Sequence, residues 1–454
     1  MHSTSDTSAP HLAGNFAPVP DEITAHALGV TGSIPPELTG WYLRNGPNPQ
    51  EAHSAHWFIG DGMVHGVRIE GGRAVSYRNR WVRTKTFTDH SPVYGESGVD
   101  HTAGVANTHM VRHAGRTLAL VETSFPYELS CAPGHELDTV GPFDFAGRLH
   151  TAMTAHPKTC PGTGELHFFG YGGLSAPFLT YHRADAQGEL TVSRPIDVPA
   201  HTMMHDFFLT AGHVVFMDLP AVFDLARAVD PHGGMPYSWR PENGARLGVL
   251  RRDDPYGTVR WFDIDPCYVF HTLNAHEENE GQRIVLHGMR YPSLGDGVLV
   301  DKPSTLWRWT LDLATGVVKE EQLDDRQAEF PRIDDRLAGL PARLGHATSA
   351  PLPSADGPED TRQRAALHRY DLRDGSMDSH YFATGRFPGE AAFVPADDRP
   401  GGPGWLMTYV YDSATDRSDL VILDADDLSR PPVATVHLPR RVPAGFHGNW
   451  LADA

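Results

Sequence analysis

Short apolar or alternating runs, each closed by Gly, Pro, Asn or Asp, recur along the whole chain of 454 residues, which contains 45 Gly and 37 Pro. Examples are RTLALVETS, GELHFFGYGG, GHVVFMDLP, RIVLHGMRY and STLWRWTLDLATGVV. Runs of this kind are strand and hairpin signals, whereas long helical periodicities are almost absent. The pattern predicts an all-β protein built from many short strands.

No change of composition marks a linker, so residues 16–454 are predicted to form a single domain. Residues 1–15, rich in Ser, Thr, Pro and Ala, are predicted to be a mobile N-terminal tail. A β-propeller is favoured over a sandwich at this length, because radial repetition builds one large body with short sheet edges. Periodicity alone leaves the number of blades open. The segment PAVFDLARAV predicts one short helix.

Composition excludes several classes of protein. Lys and Arg total 38 against 57 Asp and Glu, and a net charge of −19 disfavours binding to nucleic acid or to anionic lipid. An apolar patch could still make a peripheral contact with a membrane. Three dispersed Cys argue against a disulfide scaffold or a zinc–thiolate site and fit a reducing cytoplasm. The N-terminus lacks the features of a signal peptide, and no apolar run is long enough to span a bilayer.

Seven ionisable side chains occur in apolar or proline-bounded contexts, where an unpartnered charge or imidazole is costly. Metal-bound His usually donates its second N–H to a carboxylate, so four imidazoles and three carboxylates predict one shared metal site. Core histidines bonded to the backbone are the alternative, and the spacing does not decide between the two. The residues are His156, His205, His271 and His447, with Glu122, Glu329 and Glu390.

The pair His201 and His205 has the i, i+4 spacing of a helical metal site, in the sequence HTMMH. It lacks the Glu of HExxH, and its surroundings have a strand pattern. His205 is therefore the predicted ligand, and His201 is predicted to lie at the surface or to support a ligand.

Ordered motifs along nearly the whole chain resemble those of the carotenoid cleavage oxygenases, a family that also includes enzymes cleaving stilbenes and phenylpropanoids. The motifs are GWYLRNGPNP (40–49), HWFIGDGMVH (56–65), NTH, LALVET, TAHPK, MMHDF, VFHTLNAHE, EFPRID, GEAAFVP and FHGNW. The resemblance implies a seven-bladed β-propeller with a loop or helix cap over a non-haem iron on the axis.

The same resemblance assigns roles to the seven residues and to one threonine. It implies Fe(II) bound by the four histidines, with the three glutamates holding all rings except that of His156. Thr108 matches a position where some members carry a threonine methyl near the vacant iron site. Four neutral imidazoles leave two positions of an octahedron for O2 and solvent, whereas they would close a tetrahedral zinc site.

The implied activity is the oxidative cleavage of an alkene C=C bond into two carbonyl products, with an apolar polyene or an aromatic alkene and O2 as substrates. Stilbene-cleaving relatives carry a lysine where this chain has Val121, and a tyrosine for which Tyr94 is the nearby candidate. Val121 favours a carotenoid or apocarotenoid. A dioxygenase of the lignostilbene or isoeugenol type, a carotenoid-binding or isomerising propeller, and a zinc hydrolase or lactonase are the alternatives. The scissile bond and the oligomeric state stay open.

Overall fold

The structure is a computed structural model that describes residues 10–51, 54–95, 98–228, 234–298, 300, 302–350 and 364–453. Seven antiparallel sheets follow one another along the chain. The innermost strands of several neighbouring sheets contact each other. The protein is therefore a seven-bladed β-propeller, and the prediction of an all-β propeller is confirmed.

Blades 2 to 6 each contain four strands that run outward from the axis in chain order. Their bounds are His109–His113, Arg116–Leu120, Tyr127–Leu129 and Thr139–Pro142 in blade 2; Lys158–Thr159, Leu166–Tyr171, Leu179–Ala184 and Leu190–Ile196 in blade 3; Phe208–Leu209, His213–Asp218, Ala245–Arg251 and Arg260–Ile264 in blade 4; Tyr268–Glu278, Arg283–Tyr291, Thr305–Asp312 and Val318–Gln322 in blade 5; and Glu329–Arg332, Leu344–Ser349, Ala366–Asp371 and Met377–Tyr381 in blade 6.

Both ends of the chain close the ring. The C-terminal strand Gly448–Ala452 is the innermost strand of blade 1, and an N-terminal strand, Gly29–Gly32, is the outermost strand of blade 7. Blades 1 and 7 therefore depend on pairing between distant parts of the sequence. The other strands are Gly40–Pro47, Gly62–Glu70, Arg73–Trp81 and Thr24–His26 in blade 1, and Arg386–Pro388, Ala392–Pro395, Gly404–Asp412, Arg417–Asp424 and Ala434–His437 in blade 7.

The remaining elements lie in the connections between strands. They comprise the α-helices Lys85–Asp89 and Leu225–Ala228, the 3-10 turns Pro10–Leu12, Gly14–Phe16, Trp57–Ile59, Pro241–Asn243 and Asp335–Leu337, and two hairpins, Tyr94–Gly95 with Gly98–Val99 and Ala221–Phe223 with Tyr237–Trp239. No helix in the described ranges has the length and apolar character needed to cross a membrane.

The helix predicted for PAVFDLARAV is shorter than expected. Residues Ala221–Phe223 form a strand, and within the described residues, which stop at residue 228 here, the helix covers Leu225–Ala228. The reason is pairing with Tyr237–Trp239, which satisfies the backbone as a hairpin. Of the predicted tail, residues 1–9 lie outside the described residues, and the boundary at residue 16 stays a prediction.

Apolar side chains fill the spaces between blades. Between blades 1 and 2, Leu451 from the last strand belongs to a buried cluster with Trp41, Leu43, Met110 and Ala119. The closing strand is therefore held by packing as well as by its hydrogen bonds to Gly40–Pro47.

We expect Leu451→Ala to lower the free energy of unfolding by about 2–5 kcal/mol, because it leaves a cavity at the closure of the ring. Urea unfolding measures the effect. Leu225→Ala is the matched control: this leucine is exposed, and its loss should change stability by less than about 0.5 kcal/mol. Equal effects of the two substitutions would show that the closing strand contributes little.

Candidate metal centre

Four histidines from different blades meet on the propeller axis. His156, His205 and His447 lie in the short segments that precede the innermost strands of blades 3, 4 and 1, and His271 lies inside the first strand of blade 5. One ring nitrogen from each lies within 4.8 Å of the others. The structure therefore brings together all four predicted ligands.

Three of the four rings are oriented by the predicted glutamates. The Nδ1 atom of His205 lies 2.6 Å from Glu122 Oε2. The corresponding distance is 2.6 Å from His271 to Glu329 and 2.9 Å from His447 to Glu390. Carboxylates only accept, so each Nδ1 carries the proton. In the neutral rings, the Nε2 atoms then keep their lone pairs.

The arrangement of these lone pairs fits a bound cation. His271 Nε2 is buried and has no hydrogen-bond partner among the described residues, and His156 Nε2 lies 3.0 Å from His205 Nε2. Two nitrogens that are each about 2.1 Å from one ion, at a right angle, would be about 3 Å apart. Buried acceptors without donors are costly, and a shared divalent metal would satisfy them.

The pKa values of the histidines also favour a bound metal ion. Burial, followed by the neighbouring histidines, holds the pKa of His156 and of His447 well below the usual value, so both rings are neutral at pH 7. Burial also lowers the pKa of His205, but the Glu122 carboxylate outweighs this effect and raises it overall. A more basic imidazole is a stronger metal ligand.

His156 is held by the backbone rather than by a carboxylate. Its backbone N–H donates to Thr154 Oγ1 at 3.2 Å, and the Thr154 hydroxyl donates to the backbone carbonyl of His205 at 3.1 Å. The ring of His109 donates through Nδ1 to the carbonyl of Ala155 at 2.8 Å. His109 was not predicted as a site residue; its ring also packs against the rings of His156 at 5.8 Å and His447 at 5.2 Å between centroids.

Arg332, which the sequence analysis did not single out, fixes the His447 segment. Its guanidinium donates to Glu390 Oε2 at 3.1 Å, to the carbonyl of Gly448 at 2.8 Å and to Asn449 Oδ1 at 2.6 Å. Glu390 also accepts from the Gly448 N–H at 2.8 Å. The ion pair between Arg332 and Glu390 thus joins blades 6, 7 and 1 next to His447.

Asp206 links the other three ligand-bearing segments. Its carboxylate, which is 1% exposed, accepts from Lys158 Nζ at 2.8 Å and from the N–H and hydroxyl of Thr272, each at 2.8 Å. Lys158, Asp206 and Thr272 follow His156, His205 and His271 in sequence. In the sequence, the only sign of this role is that an acidic residue, Asp206, directly follows the predicted ligand His205.

Thr108 lies beside the centre, as the resemblance implies. Its carbonyl accepts from the His447 N–H at 3.1 Å, and its hydroxyl donates to Asn107 Oδ1 at 2.9 Å. Thr108 lines a cavity together with His447. Because the hydroxyl is engaged elsewhere, the methyl group is the part of this side chain left for the cavity.

His201 differs from its prediction as a surface or ligand-supporting residue. It is buried, and its ring stacks on Phe223 at 4.7 Å and on Phe178 at 5.8 Å between ring centroids. The hairpin that contains Phe223 covers it, which the local sequence did not reveal.

Two cavities reach the histidines. One, of about 400 Å³, has a mixed lining that includes the charged side chains of Lys158, Asp206, Arg332 and Glu390. The other, of about 370 Å³, is mainly apolar. Its lining comprises Pro10, His11, His56, Trp57, Phe58, Ile59, Val105, Thr108, Val121, Glu122, Thr123, His205, Met235, Phe270, His271, Tyr291, Val298, Val300, Glu329, Phe330, Phe446 and His447.

Comparison with known proteins places this site in context. Residues 16–452 match the family described as retinal pigment epithelial membrane protein. A carotenoid cleavage oxygenase of Mycobacterium tuberculosis is 39% identical over 98% of both chains. The crystal structure of Pseudomonas brassicacearum lignostilbene dioxygenase has a TM-score of 0.85 and 28% identity, covering 98% of this chain and 99% of that one. A Synechocystis apocarotenoid oxygenase variant has a TM-score of 0.82 and 28% identity, covering 96% and 97%.

We expect Glu122→Gln, Glu329→Gln and Glu390→Gln each to weaken binding of a divalent metal ion by about 10–100-fold, because the amide keeps the size but loses the charge that strengthens the imidazole. Anaerobic titration with Fe(II) measures the affinity. Glu37→Gln, at an exposed position, should leave it unchanged. Wild-type affinity in all three variants would assign the glutamates a purely structural role.

We also expect Asp206→Asn to weaken binding of the divalent metal ion at least tenfold and to lower the free energy of unfolding by about 1–3 kcal/mol, because an amide N–H2 would face donors from Lys158 or Thr272. The same titration and urea unfolding give both values. Asp253→Asn is the control, since that carboxylate is exposed. Metal affinity that survives a measured loss of stability would contradict the positioning role.

Proposed function

This chain belongs to the carotenoid cleavage oxygenase family, and on that premise we propose that it is an Fe(II)-dependent dioxygenase that cleaves a C=C bond of a carotenoid or apocarotenoid. The observation that carries the proposal is the position of the four histidines at the end of an apolar, aromatic cavity. A dry, apolar site with few polar groups suits a polyene and excludes water from the reaction.

Each protein group has a proposed task. His156, His205, His271 and His447 would hold the iron, which supplies activation of O2 when bound. Glu122, Glu329 and Glu390 orient the rings and keep them basic. In the overall reaction the C=C bond breaks and each of its carbons takes one oxygen atom of O2, giving two carbonyl products. Both oxygen atoms are consumed in this way, so the reaction needs no external reductant.

Aromatic rings next to the histidines would position the polyene. Phe270 packs against His205 at 5.5 Å, and Phe330 packs against His271 at 5.2 Å and His447 at 5.4 Å between ring centroids. These rings line the cavity on two sides of the centre. A flat conjugated chain between them gains contact area while its double bond is held near the iron.

Cleavage of a stilbene or phenylpropenoid is the second candidate, because a solved lignostilbene dioxygenase has the same fold. Two positions favour the polyene. Val121 lines the cavity beside Glu122 and offers no donor to a phenol. Tyr94 donates its hydroxyl to the carbonyl of Gly172 at 3.2 Å and does not line the cavity.

We further propose that the substrate enters from a lipid surface and that the enzyme works in the cytoplasm. Ile59 and Val300 line the cavity and are 43% and 38% exposed, so an apolar rim meets the solvent there. The three free thiols of Cys131, Cys160 and Cys267 are consistent with a reducing compartment.

The test is anaerobic loading with Fe(II), followed by product analysis with an apocarotenal and a hydroxystilbene side by side. We expect two carbonyl products from the apocarotenal and at least tenfold slower turnover of the stilbene. His205→Ala should lose both iron and activity, because one of four ligands is removed. His135→Ala, at an exposed position, is the control. Faster cleavage of the hydroxystilbene would favour the second candidate, and unchanged iron content in His205→Ala would remove that residue from the site.

A further inference from the structure

The apolar cavity contains a second polar group that does not belong to the metal centre. His11 and His56 line it, and two phenyl rings separate His56 from the histidines on the axis. The ring of His56 contacts Phe58 at 4.7 Å, Phe58 contacts Phe270 at 6.1 Å, and Phe270 contacts His205 at 5.5 Å between centroids. The two polar ends of the cavity are therefore distinct.

His56 presents a hydrogen-bond donor. Its Nδ1 accepts from the Phe58 N–H at 3.1 Å, so that nitrogen carries no proton. Burial, with a smaller effect of His11, lowers the pKa of His56 to about 4, and the ring is neutral at pH 7. The proton of a neutral ring with a bare Nδ1 sits on Nε2. No described residue accepts a hydrogen bond from that Nε2–H.

His11 presents an acceptor. Its Nε2 lies 2.8 Å from the carbonyl of Ser54, which can only accept, so Nε2 carries the proton. In the tautomer that donates from Nε2, Nδ1 is an acceptor, for which the described part of the chain supplies no donor. The Ser54 hydroxyl in turn donates to the carbonyl of His56 at 2.6 Å. Ser54 is therefore hydrogen-bonded to both histidines.

We propose that His11 and His56 form a subsite that binds a hydroxyl group at the end of the polyene, so that the preferred substrate is a hydroxylated carotenoid or apocarotenoid. The proposal rests on the proposed function and deepens it. A hydroxyl both donates and accepts, and so matches the His11 acceptor and the His56 donor together. An aldehyde or ketone would use only His56, and a hydrocarbon end would leave both unmatched.

A purely structural role explains less of the arrangement. His56 caps the 3-10 turn Trp57–Ile59 through Nδ1, but this cap accounts neither for an Nε2–H that has no acceptor among the described residues nor for His11. Buried polar groups that a ligand does not satisfy reduce its affinity. A hydroxyl held at this end would also fix which double bond reaches the metal, because the polyene between the two ends is rigid.

The experiment compares two apocarotenals of the same chain length, one with and one without a hydroxyl on its ionone ring. Binding is measured anaerobically by quenching of tryptophan fluorescence, since Trp57 lines the cavity, and cleavage is measured afterwards in air. We expect the wild-type protein to bind the hydroxylated compound roughly tenfold more tightly. His56→Phe should abolish that preference by weakening the hydroxylated compound alone. His56→Gln, which keeps an acceptor for Phe58 N–H and an N–H donor, should retain part of it.

His26→Phe, an exposed histidine in the outer strand of blade 1, is the control and should behave as wild type. Equal affinity of the wild-type protein for the two compounds would overturn the proposal, as would a preference that survives in His56→Phe. Because binding is read without turnover, binding with the expected preference but no cleavage would count against the proposed function and not against the subsite.

Discussion

The structure depends on gathering four imidazoles in a buried place where their lone pairs face one another. Such a cluster is unfavourable on its own, because buried acceptors without donors lose their hydration. A metal ion removes that penalty, and the carboxylates on the opposite ring nitrogens hold each ring in the tautomer that can bind it. The need to orient these rings accounts for much of the polar architecture on the axis.

The propeller supplies this orientation through side chains that connect neighbouring blades. Asp206 joins blades 3, 4 and 5, and Glu329 joins blade 6 to the His271 ring of blade 5. Arg332 and Glu390 then connect blades 6, 7 and 1. The ligands are thus held by a ring of blades. His447 directly precedes the strand Gly448–Ala452 that closes this ring, so closure of the fold and assembly of the metal centre are coupled.

The two cavities give the centre two different environments. The lining of the cavity of about 400 Å³ includes the charged side chains that connect the blades. The substrate cavity is apolar because loops and turns such as Trp57–Ile59 place aromatic side chains over the histidines. Charged side chains can therefore hold the ligand-bearing segments on one side of the metal centre, while the other side faces an apolar substrate.

The class of fold and the set of groups on the axis can be predicted from local sequence and motifs. Gly and Pro punctuation predicts short strands, and His156, His205, His271 and His447 with their three glutamates could be recognised from local context and from a family resemblance. Tertiary structure alone decided the rest. The positioning roles of Arg332, Asp206 and His109, the burial of His201 under a hairpin, and the approach of His11 and His56 to one cavity all involve residues distant in sequence. Local sequence does not encode such contacts, because they exist only when the ring of blades is closed.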